Sequence, residues 1–170
     1  MLPVELLKAL AMALGCPCED LRAKELESAG LINHSYRLSS AAGKTDLILQ
    51  QINTSVFKNP EDIDSNYQLL YQFSQTDSER IRIPAPLIFP HNKTLFLDNN
   101  GNVWRANQWI SRTCTLDKVD TIDQAEEVAR TFALFTRSLS KGFATEKLKD
   151  RKSTRLNSSH EWISRMPSSA

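Results

Sequence analysis

The chain has 170 residues, of which 41% are apolar and 24% charged, and 21 Lys and Arg are nearly balanced by 20 Asp and Glu. This composition is typical of a globular domain and excludes a disordered or collagen-like chain. No apolar run reaches the roughly 18 to 20 residues that a membrane helix needs, so no membrane association is expected. The last twenty residues hold four bases and one acid, which leaves 17 bases and 19 acids in residues 1–150. That part carries a net charge of −2 and gives no sign of a nucleic-acid interface.

Residues 1–14 are predicted to form an amphipathic helix that ends at Gly15. Its apolar positions at helical spacing are Val4, Leu7, Leu10 and Leu14. A secretory signal is not expected, because the apolar run 9–14 is short and an acid stands where such signals carry positive charge. We therefore expect a cytoplasmic protein.

Three strands and a helix are predicted next. Residues 45–53 have the apolar pattern of a buried strand, residues 36–39 pair with it through a turn at 41–44, and residues 23–27 form a further strand. A helix begins at Asn59-Pro60, with an Asn N-cap, Pro in the first turn and acids after it. Its apolar face is Ile63, Tyr67, Leu70 and Tyr71.

A second hairpin and a last helix follow. Three prolines in residues 81–90 restrict that segment to extended edge structure. Residues 94–97 and 102–110 form strands around an Asp-Asn-Asn-Gly turn, and a polar linker spans 111–120. Thr121 and Gln124 resemble a capping box, and the helix they open ends near Gly142. Its apolar stripe comprises Val128, Phe132, Phe135 and Leu139.

This order of elements, together with two sequence segments, resembles the amino-terminal lobe of a kinase. The segments G-L-I-N-H-S-Y-R-L, from Gly30, and L-I-L-Q-Q-I-N-T-S-V-F resemble the phosphate loop and third strand of the aminoglycoside phosphotransferase superfamily. The nearest likeness is the branch of the N-acetylhexosamine 1-kinases. Trp104-Arg105 and Gln108-Trp109-Ile110 resemble that branch before its hinge, so the likeness covers roughly residues 24 to 140. It implies an α+β fold: a five-stranded antiparallel sheet with a packing helix, followed by the first helix of a truncated second lobe.

The resemblance implies a nucleotide site. Its members are Gly30, Asn33 and Ser35 near the phosphates, Gln50 in place of the usual third-strand Lys or Arg, Asn66 as the helix partner of Gln50, and Trp109, Ile110 and Ser111 against adenine. An amide cannot neutralise phosphate charge, although it can donate a hydrogen bond. The residues alone leave three simpler roles open: a tight turn at Gly30 capped by Asn33, an ordinary polar strand residue at Gln50, and core packing for at least one of Trp104 and Trp109.

Catalytic and metal-binding residues of the family are not found in this sequence. The family's catalytic loop resembles H-x-D-x-x-x-x-N, and the nearest segment here, from His91, has Lys93 in place of the Asp and Asp98 in place of the Asn. We therefore assign no catalytic or metal-binding residue to this chain, and expect the Mg²⁺ ligands in a missing second lobe. Residues 151–170, with six serines and four bases, resemble adapter-derived sequence and are expected to be a disordered, non-native tail.

The predicted organisation has five parts. They are an N-terminal helix (1–20), a kinase-like lobe (21–110), a hinge (111–120), the start of a second lobe (121–150) and the tail (151–170). The resemblance implies a fragment of an ATP-dependent kinase that phosphorylates a sugar, with the anomeric hydroxyl of an N-acetylhexosamine as the favoured acceptor. The alternatives are another small acceptor (choline, homoserine or a thioribose) and a non-catalytic nucleotide-binding or interaction module. The acceptor and the oligomeric state cannot be read from the sequence.

Overall fold

The computed structural model of the chain describes residues 2–26, 32–41, 43, 46–76, 82–111, 118–142 and 148–149. Gly30, residues 112–117 of the predicted hinge and residues 151–170 of the predicted tail lie outside the described residues. In chain order the elements are α1 (Val4–Leu14), β1 (Leu21–Glu25), β2 (His34–Ser40), β3 (Asp46–Ile52), α2 (Pro60–Thr76), β4 (Leu95–Leu97), β5 (Val103–Gln108) and α3 (Ile122–Gly142). Short 3₁₀ helices at Cys18–Asp20 and Pro90–Asn92 precede β1 and β4.

The five strands form one antiparallel sheet in the order β1-β2-β3-β5-β4. The α+β class and the five-stranded antiparallel sheet are confirmed. The central strand β3 lies within the predicted range 45–53, and the second hairpin forms β4 and β5 as predicted. Strand β1 starts two residues before its predicted start at residue 23. The proline-rich segment pairs at the edge of β5, where the Leu87 amide donates to the Ala106 carbonyl at 2.8 Å.

Helix α1 covers one face of the sheet and forms the apolar core with it. The helix ends at Gly15 in the left-handed conformation (φ 63°), which favours glycine and confirms the predicted end. The core joins α1 to all the longer strands through Leu6, Ala9, Leu10, Ala11, Leu21, Leu38, Leu47, Leu49, Trp104 and Ala106, with Phe89. The sequence therefore identified the helix, and the sheet determines which of its faces is buried.

The predicted apolar stripe of α1 is partly wrong. Val4 is 63% exposed, whereas Leu6 and Leu10 are fully buried. Leu7 and Leu14 pack against the core at its margin. Several sets of positions in this apolar helix have three- and four-residue spacing, so periodicity alone could not fix the phase.

Helix α2 begins at Pro60, as predicted, and lies on the polar side of the fold. Its predicted apolar face is only half-buried, and its buried residues are Pro60, Asp64 and Ser74. Two of these three are polar. The Ser74 hydroxyl donates to the Tyr71 carbonyl within the helix, whereas Asp64 is bonded to Thr94 outside it.

Helix α3 confirms the predicted capping box. The Gln124 amide donates to Thr121 Oγ1 at 3.2 Å, and the Thr121 amide donates to Gln124 Oε1 at 3.3 Å. Its predicted stripe is largely open: Phe132 is 69% exposed and Val128 is exposed, while Phe135 and Leu139 are half-buried.

Candidate functional site

A row of three polar side chains crosses the centre of the sheet on the face opposite α1. Ser35 of β2 lies directly across from Gln50 of β3, and Gln50 lies directly across from Arg105 of β5. Direct cross-strand partners share a face of the sheet, so the three side chains are neighbours. Gln50 Nε2 donates to Ser35 Oγ at 3.1 Å, and Arg105 Nε donates to Gln50 Oε1 at 3.0 Å. We call Ser35, Gln50 and Arg105 the polar row.

Helix α2 places an aromatic ring beside the end of this row. The guanidinium carbon of Arg105 lies 5.8 Å from the centroid of the Tyr67 ring, within the range of a cation–π contact. The Tyr67 hydroxyl donates to the Pro84 carbonyl at 2.7 Å, which fixes the ring. Burial raises the pKa of Tyr67, partly opposed by the positive charge of Arg105. The ring therefore stays a neutral phenol against the cation at physiological pH.

One acid of α2, Asp64, faces the same region within a group of hydrogen-bonded side chains. Gln68 Nε2 donates to Asp64 Oδ2 at 2.6 Å and to Thr94 Oγ1 at 2.8 Å, and the Thr94 hydroxyl donates to Asp64. Burial lowers the pKa of Arg105, while Tyr67 and the Asp64 carboxylate oppose that shift. Asp64 and Arg105, both described, form no direct ion pair. The acid on α2 therefore attracts the cation without neutralising it.

Asn33 has a structural contact. The Asn53 amide donates to Asn33 Oδ1 at 2.9 Å, which ties the residue before β2 to the residue after β3. Among the described residues, Asn33 Nδ2 has no hydrogen-bond acceptor, and it is the group that could donate to a phosphate. The phosphate role of Asn33 stays a prediction, as does that of Gly30, which the structure does not describe.

The side chains of Ser35 and Gln50 are hydrogen-bonded to each other. Ser35 is 2% exposed and its hydroxyl accepts from Gln50, so in this conformation it holds the amide and does not face solvent. Both ends of the Gln50 amide are used, one by Ser35 and the other by Arg105. A direct phosphate contact from either residue stays a prediction.

Asn66 and Gln50 have different partners, which departs from the predicted pairing. Asn66 Nδ2 donates to the Lys149 carbonyl at 3.0 Å, and the Lys149 amide donates back to Asn66 Oδ1 at 2.9 Å. Lys149 Nζ also lies 3.3 Å from Asp62 of the same helix. The physical reason is that Asn66 faces the chain that follows α3, whereas Asp64 and Tyr67 face the polar row.

The residues predicted to bind adenine follow β5 directly. The Trp109 amide donates to the Asp46 carbonyl at 3.0 Å, which extends the pairing of β3 with β5 by one residue. The Trp109 ring lies 4.8 Å from the Arg37 guanidinium carbon. Ile110 is half-buried and Ser111 is exposed. Trp109 thus uses its amide within the sheet. The predicted contacts of Trp109, Ile110 and Ser111 with adenine stay predictions.

Trp104 and Asp98 have structural roles in the second hairpin. Trp104 is buried in the core, which confirms core packing for one of the two tryptophans, and its Nε1 donates to Asp98 Oδ2 at 2.9 Å. The amides of Asn100 and Asn102 donate to Asp98 Oδ1, and the Asn102 side chain donates to Oδ2. Burial alone would raise the pKa of Asp98, but these hydrogen bonds outweigh it and lower the pKa. The Asp98 carboxylate therefore stabilises the turn between β4 and β5.

Arg105 is the site residue that sequence reasoning did not assign. The alternation of β5 places it on the face opposite Trp104 and Ala106, and that signal was readable. What the sequence did not supply is the register that sets Arg105 beside Gln50, because the two residues are 55 positions apart and belong to different hairpins.

Comparisons with known proteins identify no relative: no family model matches the sequence, and no curated protein matches it. Among the described residues, no group of three or more His, Cys, Asp or Glu side chains could hold a metal ion. None of the helices in the described part of the chain combines the length and apolarity needed to cross a bilayer.

Proposed function

We propose that this chain is the nucleotide-binding lobe of an ATP-dependent small-molecule kinase, as its sequence resemblance implies. The observation that carries the proposal is the polar row at the predicted third-strand position. Gln50 lies at the centre of a five-stranded antiparallel sheet, faces a helix inserted between β3 and β4, and contacts a cation on the next strand. A cation on this face of the sheet supports phosphate binding, because such lobes stabilise the phosphates of the nucleotide with positive charge.

The favoured acceptor is a sugar, and the anomeric hydroxyl of an N-acetylhexosamine is the first choice. In phosphoryl transfer the protein mainly positions the reactants and stabilises charge, and MgATP supplies the transferred phosphoryl group. The described donor set does not fit a Mg²⁺ site, so no metal ligand is assigned to this chain and no step is derived through the ion. We expect no sugar phosphorylation by the 170-residue chain itself. A cytoplasmic location, where ATP is available, is part of the proposal.

The test is ATP binding by the purified chain, measured by titration calorimetry for a matched pair of glycine variants. Gly30→Ala is predicted to weaken ATP binding, because a Cβ would keep the backbone from the phosphates. Gly43→Ala is the control in the neighbouring hairpin turn. An added Cβ there would meet no atom within 4 Å, and the positive φ of 67° means that the substitution strains the backbone without a steric clash.

We expect ATP affinity to fall for Gly30→Ala and to stay unchanged for Gly43→Ala. Thermal unfolding of both variants separates lost binding from lost structure. Absence of ATP binding by the unaltered chain, or equal losses in both variants, would contradict the proposal.

A further inference from the structure

The guanidinium of Arg105 is only partly used by the fold. Its Nε donates to Gln50 Oε1 at 3.0 Å. Within the described part of the chain, the two terminal nitrogens, Nη1 and Nη2, donate to no acceptor. Arginine presents five N–H donors in a planar fork. The four donors of the two terminal nitrogens, which form the outer end of that fork, therefore remain available for a ligand.

The charge of Arg105 is also incompletely balanced. The side chain is half-buried, and burial lowers its pKa because a desolvated cation is disfavoured. The nearest acid that acts on it, Asp64, is held by Gln68 and Thr94 and forms no direct ion pair with it. A desolvated cation without a bonded anion is costly, and an anionic ligand would remove that cost.

The position of Arg105 is set from two sides. Gln50 Oε1 accepts the hydrogen bond from Arg105 Nε, and Ser35 Oγ accepts one from Gln50 Nε2, so side chains of β3 and β2 together hold the base of the fork. The Tyr67 ring lies beside the guanidinium carbon at 5.8 Å. Because the Arg105 side chain is already held at its Nε and beside the Tyr67 ring, it loses little conformational entropy when a ligand binds, and this favours affinity.

We propose that Arg105 is the cation that binds the phosphates in this lobe, and that Gln50 is a positioning residue for it. The cation has thus moved by one strand, from the third-strand position to the adjacent position on β5, and the amide at the third strand orients it. The ligand class is the polyphosphate of a nucleoside triphosphate, for which a guanidinium can make two parallel hydrogen bonds to phosphate oxygens. This inference rests on the proposed function and deepens it.

The experiment measures the affinity of the full chain for three probes: ATP, adenosine and inorganic tripolyphosphate. Arg105→Gln removes the cation. Arg22→Gln is the matched control, because Arg22 lies opposite Ser39 on edge strand β1, on the same face of the sheet, and is exposed. Both variants remove one positive charge from that face, so a general electrostatic effect would appear in both.

We expect Arg105→Gln to weaken ATP and tripolyphosphate binding by about tenfold to a hundredfold, the loss of one or two charge-assisted hydrogen bonds, with adenosine affinity unchanged. Arg22→Gln should change none of the three. The double variant Gln50→Lys/Arg105→Gln moves the positive charge from β5 to β3, and it should recover part of the ATP affinity. This recovery is a result that a merely structural role for Arg105 would not give. Circular dichroism and thermal unfolding show that each variant is folded.

The outcomes separate the two proposals. Unchanged ATP affinity in Arg105→Gln, while the unaltered chain binds ATP and adenosine, overturns the role of Arg105 and leaves the nucleotide site standing. Binding of tripolyphosphate that depends on Arg105, without binding of ATP or adenosine, supports the anion site and overturns the proposed kinase lobe. If no probe binds, both are overturned. If Arg105→Gln is unfolded, the same affinities are measured for Arg105→Lys, which keeps the charge but lacks the guanidinium. Weaker ATP binding with unchanged adenosine binding would then support the role of the Arg105 guanidinium.

Discussion

The two faces of the sheet are built from different chemistry. The centre of the face toward α1 is apolar and buried: Leu38 and Leu49 are fully buried there with Leu10 of the helix. The opposite face carries the polar row, where Ser35, Gln50 and Arg105 are joined by side-chain hydrogen bonds. Alternation along each strand separates the two sets, because successive side chains point to opposite faces.

The difference predicts that the two faces contribute unequally to the stability of the fold. Each apolar side chain fully buried on the α1 face contributes about 1.5 to 3 kcal/mol. On the polar face, hydrogen bonds contribute about 1 kcal/mol net each, against the cost of removing polar groups from water. A half-buried guanidinium adds little to stability by itself, which agrees with the binding role proposed for Arg105. The two faces should therefore respond differently to substitution.

The largest expected effect is loss of core volume on the α1 face. Leu49→Ala should lower the free energy of unfolding by about 2 to 5 kcal/mol, because it leaves a cavity among fully buried neighbours. Ile48→Ala, the adjacent and half-buried residue on the other face, should cost about 1 kcal/mol. Urea unfolding measures both. Equal losses would show that the two faces are packed alike.

The second effect is at Asp98, which links the β4–β5 turn to the core. Asp98→Asn places an amide donor against the donors of Trp104 and Asn102, and should cost about 2 kcal/mol because buried groups lose their partners. The lowered pKa of this carboxyl has a defined pH consequence. Its contribution to stability is complete above the ordinary value of 3.8 and is lost as the pH falls through the lower pKa of the folded state.

Unfolding measured between neutral pH and about pH 2 tests that consequence. The acid-dependent loss of stability should be smaller in Asp98→Asn than in the unaltered chain. An identical pH dependence in the two proteins would show that Asp98 does not have a lowered pKa in the fold.

The third effect compares two adjacent glutamines on β3. Gln50→Leu should cost about 1 kcal/mol, because Ser35 and Arg105 lose their shared partner. Gln51→Leu, whose side chain points to the other face, should be nearly neutral. Thermal unfolding of the pair measures the value of the polar row, and a more stable Gln50→Leu variant would mean that the row is kept entirely for binding.

The smallest effect is expected at the exposed edge of the polar face. Arg37 and Asp46 form a two-pronged ion pair between β2 and β3, at 2.6 and 2.8 Å, that is open to solvent. Arg37→Gln should change stability less than any variant above, and the difference should vanish in 1 M salt. A loss that persists at high salt would show that packing of Arg37 on Trp109 matters more than its charge.

Local signals in the sequence predicted most of the fold. The apolar run of β3, the Asn-Pro start of α2, the Gly15 end of α1 and the Thr121–Gln124 capping box each depend on residues within a few positions of one another. The α1 phase was not predictable, because the choice between faces is made by the sheet. The polar row was half predictable: Gln50 was singled out on its own, whereas its contact with Arg105 depends on a register that joins two hairpins.

The alternation along β5 and the residue after it also gives the protein two optical probes. Trp104 is enclosed in the core with its indole N–H bound to Asp98, whereas Trp109 is half-buried beside the Arg37 guanidinium on the other side of the sheet. The emission of Trp104 should report on unfolding and on acid titration of Asp98. The emission of Trp109 should respond to anything that displaces Arg37 or contacts the chain after β5. The chain has a third tryptophan, Trp162. In a Trp162→Phe background, adding Trp104→Phe or Trp109→Phe would leave one of the two probes, so each spectrum would report on one face of the sheet.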